Sequence, residues 1–503
     1  MSVPFRGKKF TFTQPDGTTI QVRGWGDQHH AVFETLDGYT LVQNQTTGFY
    51  EYANINSDHT ELLPTGALPQ FVTPQTLGLT QSLRITRSAA KAKVLESPLP
   101  LGTSRWEARR RQTKEALLNI SGMPDAAAAP PKRGTVGNFT GLCLLIQFPD
   151  VPGTIPRQEV DDFCNKPGYT GFGNNGAVYD YFYEISGGKV RYKNIVTPYY
   201  TANHPRSYYT DNAVKYSIRA IELIVEALDY FRTQGLDFSK LTADNQGYVY
   251  ATNVFYAGKC VNNWREGLWP HSFHLDTPYQ LMPDKQANDY QITDMTDELS
   301  LGTFCHENGH MICDFPDLYD YGYESAGVGT FCLMCAGANA NEKNPTQVNA
   351  YLKYLAGWAQ SVTRITNGMN ASASSRNNQF FVHRKNPAEY FIIENRYKAG
   401  RDNSLPASGL AIWHVDEMGD NQHEQMTPAL HYECSLEQAD GRYDLENDPH
   451  NYGDANDLFG AGISDRFGIT TNPNSTWWDG SESRLEISSI SPAATTMTFI
   501  GNV

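Results

Sequence analysis

Residues 306 to 310 read His-Glu-Asn-Gly-His, an HExxH pattern that constrains the surrounding fold more than any other stretch of the chain. On an α-helix, positions i and i+4 lie about 40° apart around the axis, so His306 and His310 present two imidazoles to one ion. A catalytic zinc takes three protein ligands and a water, and a nearby carboxylate must accept the proton of that water. The pattern predicts zinc ligation by both histidines and a general-base role for Glu307. The alternative is a helix with two ordinary histidines and a solvated glutamate.

The residues on either side of the motif predict where its helix begins and ends. Residues 293–301 contain capping Thr and Asp residues and early acidic residues, so we expect the helix to begin there. Pro316 has no amide hydrogen and disfavours a helical residue before it, so the helix should end near Asp314. The chain must then turn.

A third metal ligand delivered just after such a turn is the arrangement of the metzincin pattern HExxHxxGxxH, which is followed by a turn that contains methionine. Asp317 is the leading candidate for this ligand, and Asp314 and Asp320 are alternatives. Asp317 lies one residue beyond the pattern, and Cys313 stands where the pattern has glycine. Met334 is a candidate for the methionine beneath the metal, and a buried core methionine is the alternative.

The chain resembles the secreted bacterial metallopeptidases of the immune inhibitor A type, a metzincin-like zinc family. The resemblance rests on the segments FTQPDGT, LDGYTL, YDYFYEISGGKV, LWPHS, CHENGH, PDLYDYG, GTFCLM, YFIIENR, GLAIWHVDE and SLEQADG. It implies zinc on His306, His310 and Asp317, with Glu307 as the base and Met334 in the turn. It also implies a preceding pro-segment, export from the cell and, often, bound calcium.

Composition changes divide the chain into four predicted parts of an α+β protein. Residues 1–80 alternate polar with β-branched or aromatic residues between turns, which indicates a small β-rich unit that we interpret as the pro-segment. Residues 81–137 are predicted as a linker with a possible activation site, residues 138–365 as a zincin-like catalytic domain, and residues 366–503 as a β-rich lobe. Within the linker, Arg109-Arg110-Arg111 and Lys132-Arg133 are candidate cleavage sites, although a solvated charged helix is an equal interpretation of the triplet.

The pro-segment cannot silence zinc through a thiolate, because the first cysteine of the chain is Cys143. Asp27 could cap the metal with its carboxylate, and the more frequent alternative is an aspartate that stabilises a turn. A second acidic stretch, residues 437–457, offers enough carboxylates for calcium, with Asp440, Asp444, Glu446, Asp448, Asp454 and Asp457 as candidates. A solvated acidic loop is the alternative there.

The chain has 503 residues and a formal net charge of −15, so its overall field repels nucleic acid, and we expect no such partner. Its longest apolar runs are far shorter than the roughly 18 residues that span a bilayer, so no transmembrane segment is predicted. The first residues, MSVPFRGKKF, lack the apolar core of a secretory signal.

The sequence therefore predicts a secreted zinc endopeptidase that hydrolyses proteins or peptides by means of a metal-activated water. Two alternatives are a zincin that hydrolyses a non-peptide amide, and a catalytically silent surface or binding protein whose zinc is structural.

Overall fold

An antiparallel meander of six strands forms the N-terminal unit of the protein. The computed structural model describes residues 4–96, 103–120, 134–448 and 450–503. The strands follow one another in sheet order: β1 (Phe5–Thr13), β2 (Thr19–Gly26), β3 (Ala31–Thr35), β4 (Thr40–Gln43), β5 (Tyr50–Ile55) and β6 (Leu62–Pro64). The predicted turn at Gly17 joins β1 to β2, and its φ of 83° is one that glycine adopts without strain.

The core of this unit extends into the next part of the chain. Phe12, Val22 and Phe33 are buried together with Trp269, which belongs to a later segment. The indole of Trp269 lies 5.2 Å from the ring of Phe10. The N-terminal sheet is therefore packed on the rest of the protein through shared apolar contacts.

Two helices follow in the stretch predicted as a linker, namely α1 (Arg87–Glu96) and α2 (Arg105–Leu118). Ser104 caps α2 by accepting the amide of Glu107, whose carboxylate in turn accepts the amide of Ser104. Arg109 and Arg110 make ion pairs with distant acidic residues, whereas Arg111 is exposed. Cleavage at this triplet stays a prediction, and the candidate site Lys132-Arg133 lies outside the described residues.

A mixed five-stranded sheet and the helices on its two faces form the middle of the protein. Its elements are β7 (Gly137–Gln147), α3 (Arg157–Asn165), α4 (Val178–Ile185), β8 (Val190–Thr201), α5 (Arg206–Tyr209), α6 (Ile218–Thr233), β9 (Thr252–Ala257), β10 (His271–Met282), β11 (Lys285–Met295), α7 (Leu301–Cys313), α8 (Ala338–Ala340) and α9 (Ala350–Leu355). The sheet order is β10-β11-β9-β7-β8. Four strands run parallel, and β10 lies antiparallel at one edge.

Each face of this sheet has its own core. Helix α6 covers one face, where Leu142 and Leu144 of β7 pack with Leu223 and Leu228. Helices α3, α4 and α7 cover the other face. Alternate residues of a strand point to opposite faces, so a strand buried on both sides is apolar at nearly every position, as β7 is from Leu142 to Ile146.

The C-terminal part contains two further sheets. Its elements are β12 (Ser361–Arg364), β13 (Met369–Ser374), β14 (Gln379–Arg384), β15 (Glu389–Arg396), β16 (Gly409–Asp416), β17 (Cys434–Leu436), α10 (Asp444–Asn447), β18 (Glu486–Ser488) and β19 (Thr496–Asn502). The sheet orders are β12-β14-β15-β16-β17 and β13-β19-β18. Residues of β14, β15 and β16 share the core of α7. Strand β12 precedes residue 365 and pairs with β14, which follows it, so the predicted boundary at residue 365 divides both this sheet and this core. The mixed α/β content and separate sheets agree with the predicted α+β class.

The predicted start of the motif helix was wrong. Residues up to Met295 belong to β11, and α7 begins at Leu301, after Ser300 in an extended conformation. Thr293 and Asp294 are therefore strand residues, and Thr296 and Asp297 lie in the bend after the strand, so none of the four caps α7. The predicted end was correct, since α7 stops at Cys313. Among the described residues, the helices are all too short or too polar to cross a membrane.

Candidate metal centre

Three side chains meet on the buried face of α7. The Nε2 atoms of His306 and His310 lie 3.2 Å apart, and the Oδ1 atom of Asp317 lies 3.0 Å from the first and 3.3 Å from the second. Ligands bound tetrahedrally to zinc at about 2.0–2.2 Å stand about 3.3 Å from one another. The three donor atoms therefore have the mutual spacing of ligands to one small metal ion.

Backbone carbonyls orient both imidazoles. His306 Nδ1 lies 3.0 Å from the carbonyl oxygen of Leu333, and His310 Nδ1 lies 2.6 Å from that of Phe315. A carbonyl only accepts hydrogen bonds, so each Nδ1 carries the hydrogen and each Nε2 presents its lone pair. This is the tautomer that a metal ligand requires.

Asp317 is fully buried and stays ionised. Burial raises the pKa of its carboxyl, but the charges and hydrogen bonds of His310 and His306 in their protonated forms outweigh this and hold the pKa well below its usual value. The lone pair of each Nε2 is presented once that nitrogen has lost its hydrogen. The hydroxyl of Tyr321 donates to Asp317 Oδ2 over 2.8 Å. One oxygen is thus held by tyrosine while the other faces the two imidazoles.

The one-residue offset from the metzincin pattern has a local cause. The left-handed turn residue after α7 is Asp314, with φ of 57°, instead of Cys313, so the turn begins one residue late. The third ligand, Asp317, is displaced by the same one residue, and the spacing between turn residue and ligand is kept. Aspartate tolerates this backbone conformation better than most residues.

The two alternative aspartates have other contacts. Asp314 pairs with Arg109, whose Nη2 lies 2.8 Å from Asp314 Oδ1. Asp320 accepts backbone amides within its own turn, from Gly322 and Glu324. Neither belongs to the group formed by His306, His310 and Asp317.

Glu307 and Met334, the predicted base and the predicted methionine of the turn, are both buried, and their roles stay predictions. Glu307 follows the first ligand on α7, and its side chain is buried. Met334 is fully buried beneath the helix, where a Cβ added to Gly309 would lie 2.8 Å from its sulfur. A glycine at position 309 therefore lets Met334 pack directly against α7 at that position.

The turn between β2 and β3 brings N-terminal residues to the same centre. Asp27 accepts the amides of His29 and His30, so it stabilises a turn, and its Oδ2 atom accepts the hydroxyl of Tyr319 over 3.2 Å. Burial raises the pKa of Asp27 to about 7, and the charge of Asp317 adds to the effect. Asp27 is therefore a neighbour of the donor set and not a member of it.

Two residues of the same turn were not predicted as functional. The imidazole of His29 stacks on Tyr321 at 4.5 Å, and burial lowers the pKa of His29 to about 3. The side-chain amide of Gln28 faces the backbone of Ser272 on β10, donating to its carbonyl at 3.3 Å. Only the unusual polarity of the segment Gly24 to His30 could have pointed to them.

Helix α2 covers the centre from another side. The indole of Trp106 stacks on His310, with ring centroids 4.6 Å apart. The backbone amides of Arg105 and Trp106 donate to the carboxylate of Asp289 on β11. A cavity of about 150 Å³ remains beside these residues and is lined in part by His29, Trp106 and Tyr321.

The acidic stretch 437–457 is only partly clustered. Carboxylates of Asp440, Asp444 and Asp454 come within 4.8 Å of one another. Glu446 instead accepts the side-chain amide of Gln438. Asp457 accepts the backbone amide of Asp454, 2.6 Å away. Calcium at this stretch stays a prediction.

All eight cysteines have free thiols, so the cysteines near the motif form no bridge. No protein-family model matches the chain, and no curated protein matches it in sequence.

Proposed function

We propose that the protein is a secreted zinc-dependent endopeptidase with a zincin-type catalytic domain and a latent form that uses no thiolate from the pro-segment. The observation that carries the proposal is the spacing of 3.0 to 3.3 Å between the donor atoms of His306, His310 and Asp317. Two neutral imidazoles and one carboxylate form the three-ligand set of catalytic zinc sites that retain a position for water. Export from the cell belongs to the same proposal and rests on the sequence resemblance alone.

His306, His310 and Asp317 would hold the zinc, which supplies Lewis acidity that polarises a substrate carbonyl and acidifies a water. Glu307 is adjacent to the first ligand on the same helix and accepts the proton of the attacking water. It then returns this proton to the nitrogen of the leaving amine. No side chain becomes acylated in this scheme.

Strand β10 supports protein chains as the substrate class. It is an edge strand, so part of its backbone is available to pair with another extended chain. The carboxamide of Gln28 meets this edge at Ser272, where it accepts the amide over 3.5 Å and donates to the carbonyl over 3.3 Å. A carboxamide has the donor and acceptor of a peptide group, so Gln28 occupies the edge as a peptide substrate would.

The N-terminal unit and α2 support a latent state of the full chain. Asp27, Gln28 and His29 approach the centre from one side, and Trp106 covers His310 from the other. Access for a protein substrate requires these residues to move. We therefore propose that residues 1 to about 135 keep the peptidase closed until they are cleaved or displaced.

The proposal is tested by measuring zinc content and casein hydrolysis on the same preparation, before and after mild trypsin treatment. We expect one zinc per chain, little hydrolysis before treatment, and hydrolysis after treatment that a chelator removes and added zinc restores. Mass spectrometry should show loss of the first 110 to 135 residues. Zinc binding without hydrolysis by the processed chain would contradict the peptidase and favour the silent binding protein.

A further inference from the structure

Three carboxylates form a second cluster beyond the metal centre. One oxygen each from Asp320, Glu324 and Glu424 lies within 4.8 Å of the other two. Asp320 is 1% exposed and Glu424 is 3% exposed, while Glu324 is half-buried. Like charges at this distance repel strongly when shielded from water, so the cluster requires a compensating positive charge.

Glu424 is incompletely satisfied within this cluster. Its Oε2 atom is buried and accepts no hydrogen bond from any residue that the structure describes. Asp320 accepts one backbone amide at each oxygen, at 2.8 Å from Gly322 and 3.0 Å from Glu324, and each oxygen keeps a second lone pair. Burial, together with the charges of Glu424 and Glu324, raises the pKa of Asp320 to about 7. A buried, unpartnered oxygen and two incompletely used ones thus remain available to a ligand.

The only ammonium paired with these acids in the described residues comes from the N-terminal region. Lys91 of α1 donates to the backbone carbonyl of Glu424, and its Nζ lies 4.0 Å from Glu324 Oε2. Its side chain is 13% exposed. The charge of Arg87, on the same helix, also acts on Glu424. The ammonium of Lys91 therefore lies at the edge of the cluster, beside Glu324 and the carbonyl of Glu424.

We propose that this cluster is a calcium site which α1 fills with the ammonium of Lys91 in the full chain, and which binds Ca²⁺ when α1 withdraws. All of its donors are oxygens, which suit a hard cation and not zinc. Calcium binds oxygens at about 2.3–2.6 Å, so its ligands lie up to about 5 Å apart across the ion. The three carboxylates of the cluster meet both conditions.

The cluster lies between two loops, so calcium bound there would link them. Asp320 and Glu324 lie in the loop that begins with Asp317, and Glu424 belongs to a second loop. The two loops already touch, since the amide of Tyr321 donates to the carbonyl of Gln422 over 3.1 Å. Calcium would hold the loop of the third metal ligand in place after α1 and Lys91 have left. Calcium binding at the cluster rests on the proposed displacement of α1, but it requires neither bound zinc nor hydrolysis.

The test compares calcium binding by the full-length chain and by Lys91→Ala, with Lys93→Ala as the matched control, because Lys93 is exposed on the same helix. Isothermal titration at pH 7.5 should show that Lys91→Ala binds one more calcium per chain than wild type does. The affinity of this site for calcium should be at least tenfold higher in Lys91→Ala than in wild type. Lys93→Ala should behave as wild type, and adding Glu424→Gln to Lys91→Ala should abolish the gain. Calcium should also raise the melting temperature of Lys91→Ala alone.

Equal calcium binding by Lys91→Ala and wild type would overturn the inference, as would binding that survives Glu424→Gln. Equal affinity for Mg²⁺ would overturn the assignment to calcium. Circular dichroism establishes that each variant is folded. If Lys91→Ala does not fold, Lys91→Gln, which keeps most of the length of the side chain, serves in the same titration.

Discussion

The indole of Trp106 lies flat against the imidazole of His310, with ring centroids 4.6 Å apart and planes 28° from parallel. A residue of the segment before the proposed catalytic part thus touches a proposed metal ligand directly. The contact that covers the centre therefore involves a residue proposed to bind the metal. Helix α2 is held over this surface by buried ion pairs, which offer a way to loosen it without touching the ligands.

Arg109→Ala should open the latent chain. Arg109 pairs with Asp314 and also lies 3.3 Å from Asp244, so its removal takes the arginine away from Asp314, whereas Asp244 keeps its ion pair with Arg105. Breaking a buried pair costs several kcal/mol, and about 1.4 kcal/mol is a tenfold change in an equilibrium. We expect casein hydrolysis by the uncleaved chain to rise at least about tenfold.

Arg111→Ala is the matched control for this experiment, because Arg111 is the exposed neighbour on the same helix. It should leave basal hydrolysis within about twofold of wild type, since surface charges contribute little. Equal hydrolysis by the two variants would argue against α2 as the closing element.

Asp317→Asn should release the metal. The substitution keeps the volume of the buried side chain but removes the charge that faces His306 and His310. We expect zinc content, measured by mass spectrometry of the metal, to fall below about a tenth of an equivalent after dialysis. Asp314→Asn and Asp320→Asn should retain one equivalent, and a different ranking would reassign the third ligand.

Gly309→Ala should destabilise the fold through Met334. The added methyl would lie 2.8 Å from the sulfur of Met334, and overpacking of this kind costs about 1–3 kcal/mol. Urea unfolding should detect the loss. In a double-mutant cycle with Met334→Ala, the combined loss should be smaller than the sum of the two single losses. Strict additivity would show that the two side chains do not meet.

Stability should fall as pH rises through neutrality, in part because of Glu437. Burial raises its pKa from 4.5 to about 8, with the charge of Glu446 adding to the effect. The folded state then holds a proton that the unfolded chain has lost, so stability declines between about pH 4.5 and 8, by up to roughly 1.4 kcal/mol per pH unit. Glu437→Gln should flatten this decline in urea unfolding curves collected across that range, and an unchanged slope would exclude the residue.

The donor set could be predicted because its geometry is local. His306 and His310 are one helical turn apart, and Asp317 follows within seven residues of the second histidine. Spacing alone therefore identified all three as candidate ligands. The choice of Asp317 over Asp314 depended on which residue takes the left-handed turn. The sequence contains no strong signal for that choice, since the turn residue is an aspartate instead of a glycine.

Contacts between distant segments could not be predicted. Trp106 precedes His310 by about two hundred residues, and no periodicity links them. Strands β10 and β11 were also missed, because polar residues such as Asp289 and Gln291 are buried in β11. Their hydrogen bonds to partners from other elements compensate for burial, and such partners are known only once the chain has folded.

The most direct test of the proposed peptidase is Glu307→Gln, with zinc content and casein hydrolysis measured on the same trypsin-treated sample. Glutamine keeps the size of the buried side chain but cannot accept the proton of the attacking water. For Glu307→Gln we expect one bound zinc per chain and a loss of hydrolysis of at least about a hundredfold. Hydrolysis at the wild-type rate with zinc bound would contradict it.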